Sequence, residues 1–179
     1  AKIDTFGVGE RLITAKSAPV FGGVYKLAAV EDEQGNIIPK IKISENTTKI
    51  TNPHYKKLYR FYDNESGKAL ADELCVYDET IDSTKPHTIF DPDAIWKTKT
   101  LTDYSVKELH VTVFKNGELV YKQPSLFEIK RYCAEQTETL WDEVKRFENP
   151  HTYYVDLSKK LWDIKNALLE KSKDGKDLK

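Results

Sequence analysis

Residues 57 to 78, KLYRFYDNESGKALADELCVYD, decide the fold that the sequence predicts. Two stretches rich in aromatic and aliphatic residues, 57–63 and 68–78, flank the turn NESG. The first stretch alternates its side chains between two faces, as a β-strand does. Asn64 and Gly67 are residue types that turns prefer. The pattern therefore predicts an antiparallel β-hairpin.

A weaker hairpin signal precedes it. Residues 24–30 and 37–44 read as strands on either side of the polar turn EDEQGN. The following segment SENTTKITNP, residues 44–53, contains too many turn-forming residues to be a strand or a helix. We expect it to be a loop.

A change of structure is predicted at residues 80 to 105, which contain two prolines and many small polar residues. After it, residues 107–114 and 119–123 flank KNGE, and Asn116-Gly117 is the strongest two-residue turn signal in the chain. We expect a boundary between two subdomains at 80 to 105 and a third hairpin beyond it.

Two helices are predicted after Pro124. Ser125 and Glu128 form a capping box, and Asp156 is the expected cap of the second helix. The expected apolar stripe of the first helix is Leu126, Ile129, Cys133, Leu140, Val144 and Phe147, and that of the second is Leu157, Leu161, Ile164 and Leu168. Hairpins followed by a helical pair define an α+β fold.

Composition excludes several classes of function. The chain has 179 residues, of which 39% are hydrophobic and 32% charged, and its net charge of −1 favours neither nucleic acid nor an anionic membrane. No apolar run approaches the roughly 20 residues of a membrane span, and the start lacks the layout of a signal peptide. We therefore expect a cytoplasmic protein, with Cys75 and Cys133 as ordinary buried thiols.

The sequence contains no catalytic constellation. Its four histidines, His54, His87, His110 and His151, lack the spacing of metal ligands, and we expect His110 to pack, half-buried, in a strand. No serine lies in a nucleophile motif, and no pair of carboxylates is placed by one. We predict no catalytic residue and no metal site.

The best candidate for a binding site is FGVG, residues 6 to 9. Glycines at 7 and 9 allow consecutive backbone N–H groups to approach an anion without obstruction by Cβ. The alternative is an ordinary tight turn, since glycine is the default wherever φ is positive. The residues alone favour the ordinary turn.

Blocks along almost the whole chain resemble a known family. They are IDTFGVGERLIT, FGGVYKLAAVED, PKIKISEN, KITNP, YRFYDNESGKALAD, IFDP, QPSLFEIKRYC and LWDEVKRFENPHTYYVDLSKKLWDIK. Together, and in this order, they closely resemble the C-terminal part of bacterial nicotinate phosphoribosyltransferases, which are type II phosphoribosyltransferases.

The resemblance implies a reaction and a site. Nicotinate and phosphoribosyl pyrophosphate would give nicotinate mononucleotide and pyrophosphate in NAD salvage, with ATP hydrolysis through a phosphorylated histidine that precedes this segment. ATP and Mg²⁺ would serve the whole enzyme, and this chain alone would bind no cofactor. The backbone of Gly7, Val8 and Gly9 would hold the mononucleotide 5′-phosphate, and Glu10 and Arg11 would flank it. Barrel enzymes commonly bind phosphate on late loops of this kind.

The resemblance also divides the chain. Residues 1–22 would be a late strand and phosphate loop of an α/β barrel, 23–80 a β-rich segment and 81–179 a C-terminal appendage. The expected partners are the preceding barrel and N-terminal domain of the same enzyme, and a homodimer is left open. Without them, residues 1–22 are expected to be disordered or to associate with another chain.

Two positions depart from the family pattern, and two other functions stay open. Thr usually follows FGVG, where this chain has Glu10, and glycine commonly follows the Asn-Pro of KITNP, where it has His54. Either change is expected to weaken a contact with phosphate or substrate.

The alternatives to this function are a stand-alone domain that binds a phosphate-bearing metabolite and a protein interaction module formed by the helical pair.

Overall fold

A computed structural model describes residues 2–14 and 23–173. The strands are β1 (Ala29–Glu31), β2 (Ile37–Pro39), β3 (Lys56–Asp63), β4 (Ala69–Val76), β5 (His87–Asp91), β6 (Ala94–Leu101), β7 (Tyr104–Glu108), β8 (Phe114–Lys115), β9 (Glu118–Leu119) and β10 (Val155–Leu157). The helices are α1 (Leu126–Glu138), α2 (Asp142–Lys145) and α3 (Lys159–Lys173). The mixed α+β class predicted from the sequence is confirmed.

A four-stranded sheet in the order β10-β4-β3-β7 forms the centre of the fold. The predicted hairpin is its middle, since β3 and β4 pair antiparallel, and β7 adds antiparallel to β3. The outer strand β10 runs parallel to β4 and pairs Asp156 with Glu73. A bulge between Phe61 and Tyr62 shifts the register of the hairpin near its turn.

One face of this sheet packs against the β5–β6 hairpin. Phe61 and Ala71 of the sheet form a buried cluster with Ile89, Leu101 and Tyr104. The subdomain boundary predicted at residues 80 to 105 stays a prediction, although residues of that region pack in this cluster with Phe61 and Ala71. Those residues contain strands, and one hydrophobic core includes residues from both sides of position 80.

The other face packs against α3. Leu161 is fully buried and contacts Val76 and Leu157 in a second cluster. The prediction that Asp156 caps this helix is wrong, because Asp156 lies in β10 and the Ser158 hydroxyl accepts a hydrogen bond from the N–H of Leu161 at 3.2 Å. The residues before Ser158 pair with β4 as strand β10, so helix α3 begins only at Lys159.

Helix α1 has its predicted start but not its predicted packing. The Ser125 hydroxyl accepts from the N–H of Glu128, and the Glu128 carboxylate accepts from the N–H of Ser125 at 2.7 Å. The helix ends at Glu138, so the expected continuous stripe to Phe147 is wrong. No residue of α1 is buried, and Cys133, expected to be buried, is exposed.

The two small hairpins form where the turns predicted them, with shorter strands. β1 pairs with β2, and β8 pairs with β9 around Asn116 and Gly117, whose φ angles are 51° and 82°. Both positive angles fit the two-residue hairpin turn. The segment 44–53 is irregular apart from a 3₁₀ turn at Thr47–Lys49, as expected.

Residues 2–14 contain no strand and only a 3₁₀ turn at Glu10–Leu12. The remainder of the predicted segment 1–22, residue 1 and residues 15–22, lies outside the described residues. None of the helices in the described ranges is long and apolar enough to cross a membrane.

Candidate functional site

The FGVG loop is open to solvent. Gly7, Val8 and Gly9 are all exposed, and Gly9 leads into the 3₁₀ turn. Thr14 closes that turn, with its N–H and its hydroxyl both donating to the carbonyl of Glu10 at 3.0 Å and 2.9 Å. Gly9 itself has an extended backbone conformation.

Neither glycine of the loop has a conformational reason to be glycine. Gly9 has φ −84° and ψ 171°, which any residue adopts, and Gly7 is not among the described glycines with positive φ. A Cβ atom added at either position would meet no heavy atom within 4 Å. We find no hydrogen bond from the N–H groups of Gly7, Val8 or Gly9 to another described residue.

The neighbours of the loop were predicted to flank a phosphate. Glu10 is exposed and begins the 3₁₀ turn. The side chain of Arg11 lies outside what the structure describes. The assignment of these five residues to a phosphate site stays a prediction at this point.

His54, where the family pattern has glycine, occupies a tight turn before β3. Its φ of 78° is in the left-handed region, which favours glycine. Its N–H donates to the carbonyl of Ala28 at 2.7 Å, and its ring stacks on Tyr77 with 6.0 Å between centroids. The backbone conformation explains why glycine suits this position.

His110 and His151 both lie at exposed positions. His110 is exposed beyond the end of β7, and its Nδ1 accepts from the N–H of Leu58 at 3.0 Å, so the predicted strand packing is wrong. His151 is exposed. Within residues 2–14 and 23–173, no group of three or more histidine, cysteine, aspartate or glutamate side chains is placed to hold a metal ion.

An ion pair between half-buried Arg60 and buried Asp72 crosses the central hairpin. Arg60 donates to both carboxylate oxygens of Asp72 at 2.7 and 2.8 Å, and the Tyr153 hydroxyl donates to the same carboxylate at 2.9 Å. Hydrogen bonding to Asp72 raises the pKa of Arg60, and burial raises that of Tyr153. The network ties the segment before β10 to the sheet.

A second polar group lies on the opposite face. His87 Nε2 is 2.8 Å from Glu73, whose carboxylate is also 3.6 Å from the Cys75 sulfur. Burial raises the pKa of the Cys75 thiol, so the thiolate needed for nucleophilic chemistry is disfavoured. A cleft of about 360 Å³ borders this group.

Asp156 extends this group along β10. It is buried, and burial, followed by the nearby charges of Asp91 and Glu73, raises its pKa to about 6. Its neighbour Ser158 donates to Glu79 at 2.7 Å. The carboxylates of Asp156, Asp91 and Glu73 therefore lie close enough to influence one another, although only Asp156 was singled out from the sequence, and for a different role.

Sequence reasoning missed both polar groups. The one available signal for the ion pair was the register of the β3–β4 hairpin. The N–H of Asp63 donates to the carbonyl of Lys68, so these two residues close the turn. Counting outward from that pair sets Arg60 opposite Ala71. The bulge moves the partner to Asp72, so the count alone gives the wrong pair.

Comparison with known proteins assigns the domain. The chain belongs to the nicotinate phosphoribosyltransferase C-terminal domain family, whose model matches residues 55–165. The match includes the central sheet, both polar groups and α1. The resemblance found in the sequence is confirmed.

Individual relatives extend the match to nearly the whole chain. It is 39% identical to the nicotinate phosphoribosyltransferase of Bacillus subtilis over 92% of this chain and 34% of that protein. The Caenorhabditis elegans nicotinate phosphoribosyltransferase is 33% identical, with 93% and 29% covered. The crystal structure of human nicotinic acid phosphoribosyltransferase superposes with a TM-score of 0.59 at 25% identity, over 65% of this chain and 23% of that one. The chain spans about a third of the length of the curated relatives it matches.

Proposed function

We propose that this chain is the C-terminal portion of a nicotinate phosphoribosyltransferase. The complete enzyme would make nicotinate mononucleotide and pyrophosphate from nicotinate and phosphoribosyl pyrophosphate, with hydrolysis of ATP. The observation that carries the proposal is the match of the family's C-terminal domain to residues 55–165, together with relatives of that name over more than 90% of the chain.

The preceding part of the enzyme supplies the chemistry in this proposal. We find no nucleophile paired with a base among the described residues, and burial raises the pKa of the Cys75 thiol, which disfavours the thiolate. The described residues also contain no fitting metal cluster. The resemblance assigns ATP, Mg²⁺ and the phosphorylated histidine to that preceding part, and in this proposal the chain contributes structure and a binding loop.

Residues 1–22 form the end of the α/β barrel in this proposal. Their described apolar side chains are all exposed: Ile3, Phe6, Val8, Leu12 and Ile13. Full burial of such a side chain is worth about 1.5 to 3 kcal/mol, so the segment gains substantially from a partner. Barrel neighbours of the same polypeptide provide that partner.

The FGVG loop holds the 5′-phosphate of the mononucleotide in this proposal. Three consecutive N–H groups without a partner among the described residues are donors for phosphate oxygens. Neither φ nor contact with a described residue requires glycine at positions 7 and 9, and close approach of the phosphate explains both glycines in this proposal. Glu10 and Arg11 flank the loop.

A turnover assay tests the proposed function. The 179 residues alone are expected to form no nicotinate mononucleotide, and addition of the preceding part of the enzyme is expected to restore formation from nicotinate, phosphoribosyl pyrophosphate and ATP. Turnover by the chain alone would contradict the assignment of the chemistry. A complete polypeptide that binds a phosphate-bearing metabolite without turnover would instead favour a binding protein.

The loop assignment has its own test in the complete enzyme. Gly9→Val is expected to leave the fold intact, because a Cβ atom there meets no heavy atom within 4 Å and the backbone angles suit valine. It crowds the N–H groups, so calorimetric titration is expected to give at least tenfold weaker mononucleotide binding. Gly23→Val is the matched control, since a Cβ there also meets nothing within 4 Å. Equal affinity of the two variants would make FGVG an ordinary turn.

Glu10 gives a second measurement on the same loop. A carboxylate about 6 Å from a phosphate repels it through solvent. Glu10→Thr is therefore expected to tighten mononucleotide binding several-fold, with a gain that shrinks as salt rises. Unchanged affinity at low salt would mean that no phosphate lies beside Glu10.

A further inference from the structure

Helix α3 borders a cleft with the face next to the one that packs on the central sheet. Leu161 packs on the sheet, whereas Trp162, Lys165 and Leu169 line a cleft of about 330 Å³. Their spacing places these three side chains on one side of the helix. The opposite wall comes from the 3₁₀ turn that begins at Thr47 and from the residues after it. The cleft has the size of a site for a small molecule.

One part of the cleft wall is apolar and aromatic. Its residues are Ile50, Pro92, Val155, Leu157, Trp162 and Leu169. The Trp162 ring has a fixed position, because its indole N–H donates to the carbonyl of Pro92 at 3.1 Å and its edge-on contact with Phe90 has 6.3 Å between centroids. A rigid aromatic wall of this kind favours a ligand with a flat apolar body.

A cation lies in the same cleft. The Lys165 ammonium donates to Asn52 Oδ1 at 2.8 Å, which uses one of its three N–H groups. Lys165 is half-buried, and burial lowers its pKa, although the charge of Asp93 opposes this effect. We find no ion pair between Lys165 and a carboxylate of the described residues. Partial burial of a cation without a counter-ion is unfavourable, so this cleft favours an anion.

The charges of the cleft select the kind of anion. One ammonium matches one negative charge, and the Asp93 carboxylate, which also lines the cleft, repels a second. Inorganic phosphate carries more than one charge near neutral pH and has no apolar part to place against Trp162 and Leu169. A monocarboxylate with an apolar body satisfies both the ammonium and the apolar wall.

We propose that the cleft between α3 and the turn at Thr47 binds a small monocarboxylate with a flat apolar body. The carboxylate pairs with the Lys165 ammonium, and the apolar body lies against Trp162. The cleft shares no residue with the FGVG loop, so this site is additional to the proposed phosphate site.

Fluorine NMR of the complete polypeptide, labelled with fluorotryptophan, tests the site with benzoate as the probe. Trp162→Phe assigns the resonance of the cleft. Benzoate is expected to shift this resonance saturably with a Kd on the order of 1 mM, as befits so small a ligand. Benzamide has the same shape without the charge and is expected to bind at least about tenfold more weakly, because the charge-assisted bond to Lys165 is lost.

Two lysine variants separate the role of Lys165 from a general effect of charge. Lys165→Met keeps most of the aliphatic stem and removes the ammonium, so benzoate binding is expected to weaken at least about tenfold and to lose its advantage over benzamide. Lys171→Met is the matched control, since Lys171 is exposed on the same helix. It is expected to leave the benzoate Kd within about twofold of the unchanged protein.

Several results would overturn the proposal. Absence of a saturable shift at Trp162, or equal Kd values for benzoate and benzamide, would do so in the unchanged protein, whether or not the variants fold. Equal effects of Lys165→Met and Lys171→Met would remove the role of the ammonium. An equal shift with inorganic phosphate would show a site for anions in general and contradict the selection of an apolar body.

Discussion

Helices α1 and α3 have similar lengths and similar sequence patterns, yet the structure uses them differently. Each has an apolar face predicted from its spacing. Leu161 of α3 is fully buried against the central sheet, whereas no residue of α1 is buried. An amphipathic pattern thus predicts that a helix packs against another surface, but it does not predict whether that surface belongs to the same chain.

The N-terminal segment and the central sheet differ in the same way, because one is exposed and the other is buried within the chain. Residues 2–14 contain exposed apolar side chains and no strand, while β3 and β4 lie between two buried clusters. The sheet and α3 supply stability within the chain. In our proposal, the FGVG loop is completed by the preceding part of the enzyme.

Truncation of one aliphatic side chain on each helix is expected to show the largest difference. Leu161→Ala removes a fully buried side chain and should lower the free energy of unfolding by about 3 kcal/mol. Ile129→Ala, on the uncovered face of α1, should change it by less than about 0.5 kcal/mol in this chain. Urea unfolding measures both, and similar losses would show that α1 is packed.

Removal of one buried charge is expected to stabilise the sheet at neutral pH. The pKa of Asp156 is raised to about 6, above its unfolded value of about 3.9, so its ionisation destabilises the folded chain as pH rises through this window. Asp156→Asn should add about 1 to 2 kcal/mol at pH 7.5 and nothing at pH 4. Asp4→Asn, at an exposed position, is the control. A gain that is equal at both pH values would contradict the buried-charge explanation.

The smallest expected effect concerns the turn before β3. His54→Gly relieves a left-handed backbone angle and should raise stability by about 0.5 kcal/mol, whereas His54→Ala keeps the angle and should give no gain. Thermal unfolding compares them. A change in mononucleotide affinity without a change in stability would instead support the earlier expectation that this position contacts substrate.

Local patterns predicted the local structure well. The NESG and Asn116-Gly117 turns and the capping box at Ser125 form as expected, because each depends on residues a few positions apart. The pairing of β10 with β4 joins residues about 80 positions apart, and no local pattern encodes it. That pairing is why Asp156 lies in a strand instead of capping α3.

The candidate sites also differ in whether local sequence patterns could predict them. The FGVG loop was found from its glycines and its resemblance, and its role stays a proposal. The Arg60–Asp72 pair and the group around Glu73 were not found, because a bulge and a nonlocal strand bring them together. The β5–β6 hairpin was not predicted, because the two prolines in residues 80 to 105 indicated a connecting segment instead of strands.

Native-state hydrogen exchange of the 179-residue chain, in a solution shown to be monomeric, tests the central distinction most directly. We expect the amides of β4 and α3 to exchange with the protection of global unfolding. We expect those of residues 2–14 and of α1 to exchange at least about a hundredfold faster, because their apolar side chains have no cover in this chain. Equal protection of α1, residues 2–14 and α3 in the monomer would contradict the account.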